Sequence, residues 1–333
     1  MHKKLIFSIV SILCIISSVL FLSCPNDPCD HWDAHWTRIG LEGFTINAIA
    51  IVPLNPSTIF AGTDGSGVYK SEDGGASWVS SNSGITGIYI TCLSAHPTVA
   101  SIVYAGTQNN GVFKSFNGGD DWSPIMTGLT SNYIVNLTLD PKDPDTLYVC
   151  TSGDGVFKSV NGGDFWFAIN TGLVGGYANC LVIDSSNTDT IYVGMAIDGV
   201  FKSINGGTNW TAINNGLSYT GINSIAIDPN NPNILFAGVG YSVEGEGLYR
   251  ATDGGANWSK ILPYGFFSVV FDPIDSLIVY ADEMRTTDGG DIWQVATNPI
   301  GIKVLAFDPI TTTKLYAGTG NGIYFSDNQT CHN

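Results

Sequence analysis

Apolar residues alternate with small or polar ones in short runs such as Asn223-Ser-Ile225-Ala-Ile227, closed by Asp228-Pro229. The alternation recurs around Ile49, Leu93, Leu137, Leu181, Val269 and Leu305. Its period is that of a strand with one packed face. Asp140-Pro141, Asp272-Pro273 and Asp308-Pro309 close equivalent runs. A turn rich in Pro, Asn and Asp then leads to a second run, such as Thr58-Ile-Phe-Ala-Gly or Thr146-Leu-Tyr-Val. A Gly-rich loop precedes a third run, Gly-Val-Phe-Lys-Ser, nearly verbatim at Gly111, Gly155 and Gly199. A hallmark turn follows, Ser71-Glu-Asp73-Gly-Gly-Ala-Ser-Trp78 in its first copy, and a fourth run opens at the Trp.

Further copies place Asn117, Asn161, Asn205, Asp253 and Asp288 at the Asp position, with Trp122, Trp166, Trp210, Trp258 and Trp293 closing them. A seventh begins at Ser326 and Asn328 and runs out of chain before its Trp. Successive Trp residues lie 44 apart as far as Trp210, then 48, then 35. Four antiparallel strands per unit at this period describe a β-propeller blade. Trp36-Thr-Arg-Ile-Gly-Leu41 matches Trp210-Thr-Ala-Ile before Gly216-Leu217, a fourth strand whose other three are missing. The C-terminal unit has the complementary deficit. The sequence therefore predicts an all-β fold, one seven-bladed β-propeller over residues 36–333, its seventh blade closed by the N-terminal strand.

Composition adds location and excludes some partners. Forty glycines and 13% charged residues among 333 suit many tight turns. With 29 acids against 13 Lys plus Arg the net charge is −16, which repels phosphate backbones, so no nucleic-acid partner is expected. Lys3 and Lys4 precede an apolar run from Leu5 to Leu22, which reads as an export signal over residues 1–23. The run ends at Leu20-Phe21-Leu22-Ser23-Cys24, which resembles the acylation motif of bacterial lipoproteins, with Phe21 and Leu22 departing from its usual form. Cys24 is the expected lipid site and residues 24–35 the tether. The expected protein is exported, lipid-anchored, periplasmic or surface-exposed, monomeric and in contact with membrane only through its lipid. In an oxidising compartment Cys29, Cys92, Cys150, Cys180 and Cys331 are disulfide candidates; Cys29 and Cys331 flank the break in the seventh blade.

The hallmark turns resemble the Asp-box (BNR) repeat over nearly the whole exported length. That resemblance implies turns that are structural: a side-chain oxygen caps turn amides, glycines supply unusual backbone angles, and the Trp covers the hairpin base. Spaced around a ring, these acids cannot converge on one substrate. Asp-box relatives include sialidases, clamp-type glycoside hydrolases, sortilin-like sorting receptors and a photosystem II assembly factor. A sialidase needs an arginine cluster; only Arg38, Arg250 and Arg285 are available here. A clamp-type hydrolase needs a second propeller. No catalytic residue is therefore carried over.

Departures from the repeat gather on the face bearing the loops between second and third strands and between blades. The fifth unit is extended at Gly240-Tyr-Ser-Val-Glu244-Gly-Glu246-Gly, and the sixth is shortened near Asp282-Glu283-Met284-Arg285. Tyr89, Tyr133 and Tyr177 share one register, Tyr219 lies near the next, and Asp64, Gln108, Asp154 and Asp198 sit on adjoining loops. The expected ligand surface is Tyr89, Tyr133, Tyr177, Asp154, Asp198, Glu244 and Glu246. The alternative is tyrosine rings packed between blades with hydroxyls at the rim. Cys29-Asp30-His31-Trp32-Asp33-Ala34-His35 has metal-ligand residue types but lies in the tether, so no metal and no cofactor is expected. The reading is a non-catalytic propeller that binds an envelope protein or a glycan. The alternative is a glycoside hydrolase using acids such as Asp154, Asp198, Glu244 and Asp282.

Overall fold

The computed structural model describes residues 36–240, 245–296 and 299–327. Within them the chain forms seven four-stranded antiparallel sheets and no helix, the expected propeller. Blade 1 shows the order: Ile46–Ile51, Ile59–Thr63, Val68–Ser71 and Val79–Ser80 follow one another across the sheet. Blades 2 to 6 span residues 90–124, 134–168, 178–212, 222–262 and 269–295. Blade 7 joins Ile302–Phe307, Lys314–Thr319 and Gly322–Asp327 to the N-terminal strand Thr37–Gly40. Thr37 pairs with Phe325 and Arg38 with Tyr324, so the two ends of the chain share one sheet.

Burial explains the sequence pattern. Every residue of the second strand is buried in blades 1 to 6, because that strand lies between two others and under neighbouring blades. These segments read accordingly as short apolar runs. Fourth strands are only two residues long in blades 1 to 4 and 6, and mostly exposed. The short outer strands leave little unpaired edge. The core is a series of clusters, each mixing two blades; Ile46, Ile59 and Ala61 of blade 1 pack with Tyr316 and Ile323 of blade 7.

Side chains of first strands reach the next blade at or just before its first strand. Asn47 Nδ2 donates to Ile90 O, Thr91 Oγ1 to Ile134 O, Asn179 Nδ2 to Ile222 O and Asn223 Nδ2 to Phe266 O. Cys92, Cys150 and Cys180, candidates for disulfides by sequence, are instead free and buried thiols. Burial pushes the Cys92 and Cys180 thiols up to about 12, so they stay protonated and inert. The proposed Cys29–Cys331 pair, the lipid site Cys24 and the 29–35 cluster lie outside the described residues.

Candidate functional site

The hallmark turns are built for stability. Ser159 Oγ donates to Asn161 Oδ1 (2.9 Å) and accepts from Gly163 N (2.9 Å), while Asn161 Oδ1 also accepts from Phe165 N (3.0 Å). The same set recurs with Ser71/Asp73, Ser115/Asn117, Ser203/Asn205 and Thr286/Asp288. The bonds shared by all these turns use one acceptor oxygen, which is why Asp and Asn interchange. Blade 5 has Ala251 in place of the hydroxyl residue, and Asp253 still caps Asn257 N at 3.0 Å. Hydrogen bonds from the Ser77 side chain and backbone hold the Asp73 carboxyl at about 2. Asn328 lies outside the described residues.

The tryptophans do more than cover a hairpin. Trp122, Trp166, Trp210 and Trp258 each donate Nε1 to the preceding blade, at Ser81 O, Ile125 O, Ile169 O and Ile213 O (2.6–3.0 Å). Trp78 reaches Ile39 O of blade 7 in the same way. Trp293 bonds within its own turn, to Gly290 O.

A second set of links uses the third-strand lysines. Lys114, Lys158 and Lys202 donate Nζ to Gly162 O, Gly206 O and Gly254 O of the next hallmark turn (2.9–3.2 Å). Their ammonium groups also lie 5.1–5.2 Å from the ring centroids of Tyr104, Tyr148 and Tyr192. Arg250 takes the corresponding role, on Gly289 O (2.7 Å) and Asp291 (3.0 Å). Arg38 pairs with Glu42, and Arg285 is buried beside Tyr280. The three arginines thus belong to three blades and serve local contacts. Sequence reading missed both sets of inter-blade bonds.

The opposite face carries the variable loops. Tyr89, Tyr133 and Tyr177 each stand one residue before the first strand of blades 2, 3 and 4. Their carbonyls accept from Gln108 N, Ser152 N and Ala196 N (2.8–3.1 Å), fixing each backbone to its own blade. Bridges Asp64↔Tyr89 and Ser152↔Tyr177 fix two of them to the preceding blade as well. Their side chains remain 44%, 37% and 51% exposed. The Tyr89 ring lies over Gly65 of blade 1, where any Cβ would meet it at 3.3 Å. At Tyr89 one ring edge is therefore packed against the preceding blade while the rest faces solvent. Tyr219 is half-buried against Gly245 and Gly221.

The acids differ in their freedom. Asp154 is exposed and its Oδ2 accepts from Thr130 Oγ1 (2.7 Å). Asp198 Oδ2 is buried against Gly175 without a hydrogen-bond partner among the described residues. Glu246 is half-buried; Glu244 lies outside the described residues. In the shortened blade 6 turn, Asp282 takes a left-handed backbone (φ 45°) and is buried, its carboxylate accepting from Phe267 N (3.0 Å) and Ser268 N (2.8 Å). Burial raises it to about 7 although both amides pull it down. Next to it Glu283 Oε1 accepts from Gly301 N and Ile302 N (3.2 Å for the second). Elsewhere the loop donates to the neighbouring blade instead, as Gly111 N does to Asn132 O. A side-chain acceptor has thus replaced a backbone donor where the loop was cut.

Among the described residues no cluster of His, Cys, Asp and Glu could hold a metal, and no helix is long and apolar enough to cross a membrane.

No protein-family model and no curated protein matches the chain. Solved structures do. A GH74 xyloglucanase from Xanthomonas campestris superposes with a TM-score of 0.72 at 19% identity, over 89% of this chain and 54% of that one. YCF48 from Cyanidioschyzon merolae gives 0.67 at 16% identity, over 89% and 99%, and a YCF48 structure bound to D1 peptide gives 0.67 at 16% identity, over 87% and 95%. The extracellular domain of a hybrid two-component system protein of B. thetaiotaomicron gives 0.69 at 16%, over 88% and 42%. The chain spans about half the length of the xyloglucanase. At these identities the likeness is one of fold, and that fold is carried both by proteins described as enzymes and by proteins described otherwise.

Proposed function

We propose that this chain is an exported lipoprotein, acylated at Cys24, whose propeller is a non-catalytic binding module of the Asp-box type at the cell envelope. The hydrogen-bond pattern of the hallmark turns supports the Asp-box assignment. Its ligand surface is the variable face, centred on Tyr89, Tyr133 and Tyr177. The observation that carries this reading is that three half-exposed tyrosines stand in one register on successive blades, each on a backbone pinned by its own loop. Ordered aromatic side chains offer contact area at small entropic cost.

Glycoside hydrolysis needs a protonated acid and a second carboxylate on opposite sides of the scissile bond. Asp282 is the acid raised toward neutrality, yet it is buried and its oxygens are taken by Phe267 N and Ser268 N. That favours binding over turnover. The ligand is an envelope protein or a glycan; the YCF48–D1 peptide structure makes the first concrete, and the xyloglucanase the second.

The test presents the purified protein with a polysaccharide panel and with envelope extract. Retention without turnover, weakened in Tyr133→Ala and Tyr177→Ala, is expected. Polysaccharide cleavage abolished by replacing Asp154, Asp198, Glu244 or Asp282 would overturn it.

A further inference from the structure

We infer that the variable face takes a cationic ligand, an extended polypeptide segment bearing Lys or Arg at intervals; this deepens the binding reading above and rests on it. The first ground is charge. Among the described residues the loops of that face, 41–45, 64–67, 81–89, 108–111, 125–133, 152–154, 169–177, 196–198, 213–221, 240, 245–246, 263–268, 282–283, 296, 299–301 and 320–321, contain no Lys or Arg. Glu42, Asp64, Asp154, Asp198, Glu246 and Glu283 lie in them. Lys303, one residue inside the first strand of blade 7, and the buried Arg285 are the nearest bases in sequence. The third-strand bases Lys114, Lys158, Lys202 and Arg250 are held at hallmark turns of the other face. Arg38 pairs with Glu42 and Arg285 is buried just beyond Glu283, but the loops carrying Asp64, Asp154 and Asp198 have no base of their own.

The second ground is the aromatic arc. Asp64 bridges to Tyr89, and Asp154 accepts from Thr130 Oγ1 (2.7 Å), three residues before Tyr133. Asp198 packs its unpartnered Oδ2 against Gly175, two residues before Tyr177. An acidic acceptor thus recurs beside an exposed phenol ring, from blade to blade. Rings attract cations over their faces, and a carboxylate completes the charge. Three such positions on successive blades suit a ligand that presents positive side chains along a line, with neutral backbone between them. A glycan lacks the charge and a compact polyamine lacks the spacing.

The probe is a fluorescein-labelled Gly/Ser peptide with lysine at every third position, followed by anisotropy on the intact protein. Its glutamate counterpart, spermine and a neutral xyloglucan oligosaccharide serve as competitors. Expected are binding of the lysine peptide alone among the peptides, and roughly tenfold weaker binding in Tyr133→Ala/Tyr177→Ala. A similar loss is expected in Asp154→Asn/Asp198→Asn, together with a shallower fall in affinity between about 50 and about 200 mM salt. Asp120→Asn/Asp164→Asn on the hallmark face removes the same charge and is expected to leave affinity within about twofold. Equal loss in that control would show attraction to net charge only and overturn the inference. So would tyrosine-dependent binding of the oligosaccharide in place of the peptide, which would leave the binding module standing. Absence of any tyrosine-dependent binding, to these probes or to envelope extract, would remove both.

Discussion

Cys150 and Ala178, both fully buried, exchange volume across the interface between blades 3 and 4. At the same two positions four other junctions pair a glycine with a bulky residue: Gly62 with Ile90, Gly106 with Ile134, Gly194 with Ile222, Gly318 with Ile46. A Cβ added to Gly62 would meet Ile90 Cγ2 at 2.5 Å, so the larger pair cannot gain a further atom. Ala178→Ile should overpack and destabilise by about 1–3 kcal/mol, and Cys150→Gly should leave a cavity of similar cost. The double variant restores the arrangement of the other junctions and should recover a coupling of about 0.5–3 kcal/mol. Urea denaturation of all four proteins measures it; strictly additive losses would contradict the exchange.

Trp166 and Trp293 should respond differently to loss of the indole N–H. Trp166→Phe strands Ile125 O at the blade junction and should cost about 1–3 kcal/mol, with Trp166→Ala reaching about 3–5. Among the described residues Trp293 Nε1 donates to Gly290 O of its own turn and to no neighbouring blade, so Trp293→Phe should cost less. Thermal unfolding of the two Phe variants decides the ranking, and an equal or larger loss at Trp293 would refute the stapling role.

Lys158 ties blade 3 to blade 4 through Gly206 O and lies over Tyr148. Lys158→Met keeps the apolar stem and removes both polar contacts, for an expected loss of about 1–2 kcal/mol. Lys303→Met, at an exposed strand position, should change stability by less than about 0.5 kcal/mol. Denaturant midpoints that do not separate the two would argue against the hook.

Asp282 makes stability depend on pH with a definite sign. Its ordinary value of 3.8 is raised to about 7 in the folded chain. Between those values the folded state keeps a proton that the unfolded chain has lost. Its contribution is therefore fully present in acid and is lost as pH rises toward 7. Asp282→Asn removes the buried charge, retains an oxygen for Phe267 N and Ser268 N, and tolerates the left-handed backbone. The variant should gain over the parent at pH 8 and lose that advantage near pH 4. Parallel melting-temperature profiles would refute it.

Much of this fold was legible because blade number and closure are local facts repeated. Each unit shows its strands, and Trp36 announces a fourth strand without the other three. The pairing of Thr37 with Phe325 follows. The tyrosine register could be read too, since a shared offset from a strand start survives without coordinates. What escaped were partners in the adjacent unit. Trp166 and Ile125 are 41 residues apart, as are Trp122 and Ser81, and Trp210 and Ile169. That constant offset was a signal, but only knowledge of how neighbouring sheets stack gives it meaning. Glu283 was hidden for another reason: it replaces a backbone donor, and sequence records the side chain without the group it supplants.

The N-terminal strand sets the direction of the whole assembly. As the outermost strand of its sheet it starts at the end of the ring where the hallmark turns lie and runs toward the tyrosine end. The chain therefore enters the ring from the hallmark end, opposite the face that bears Tyr89, Tyr133 and Tyr177.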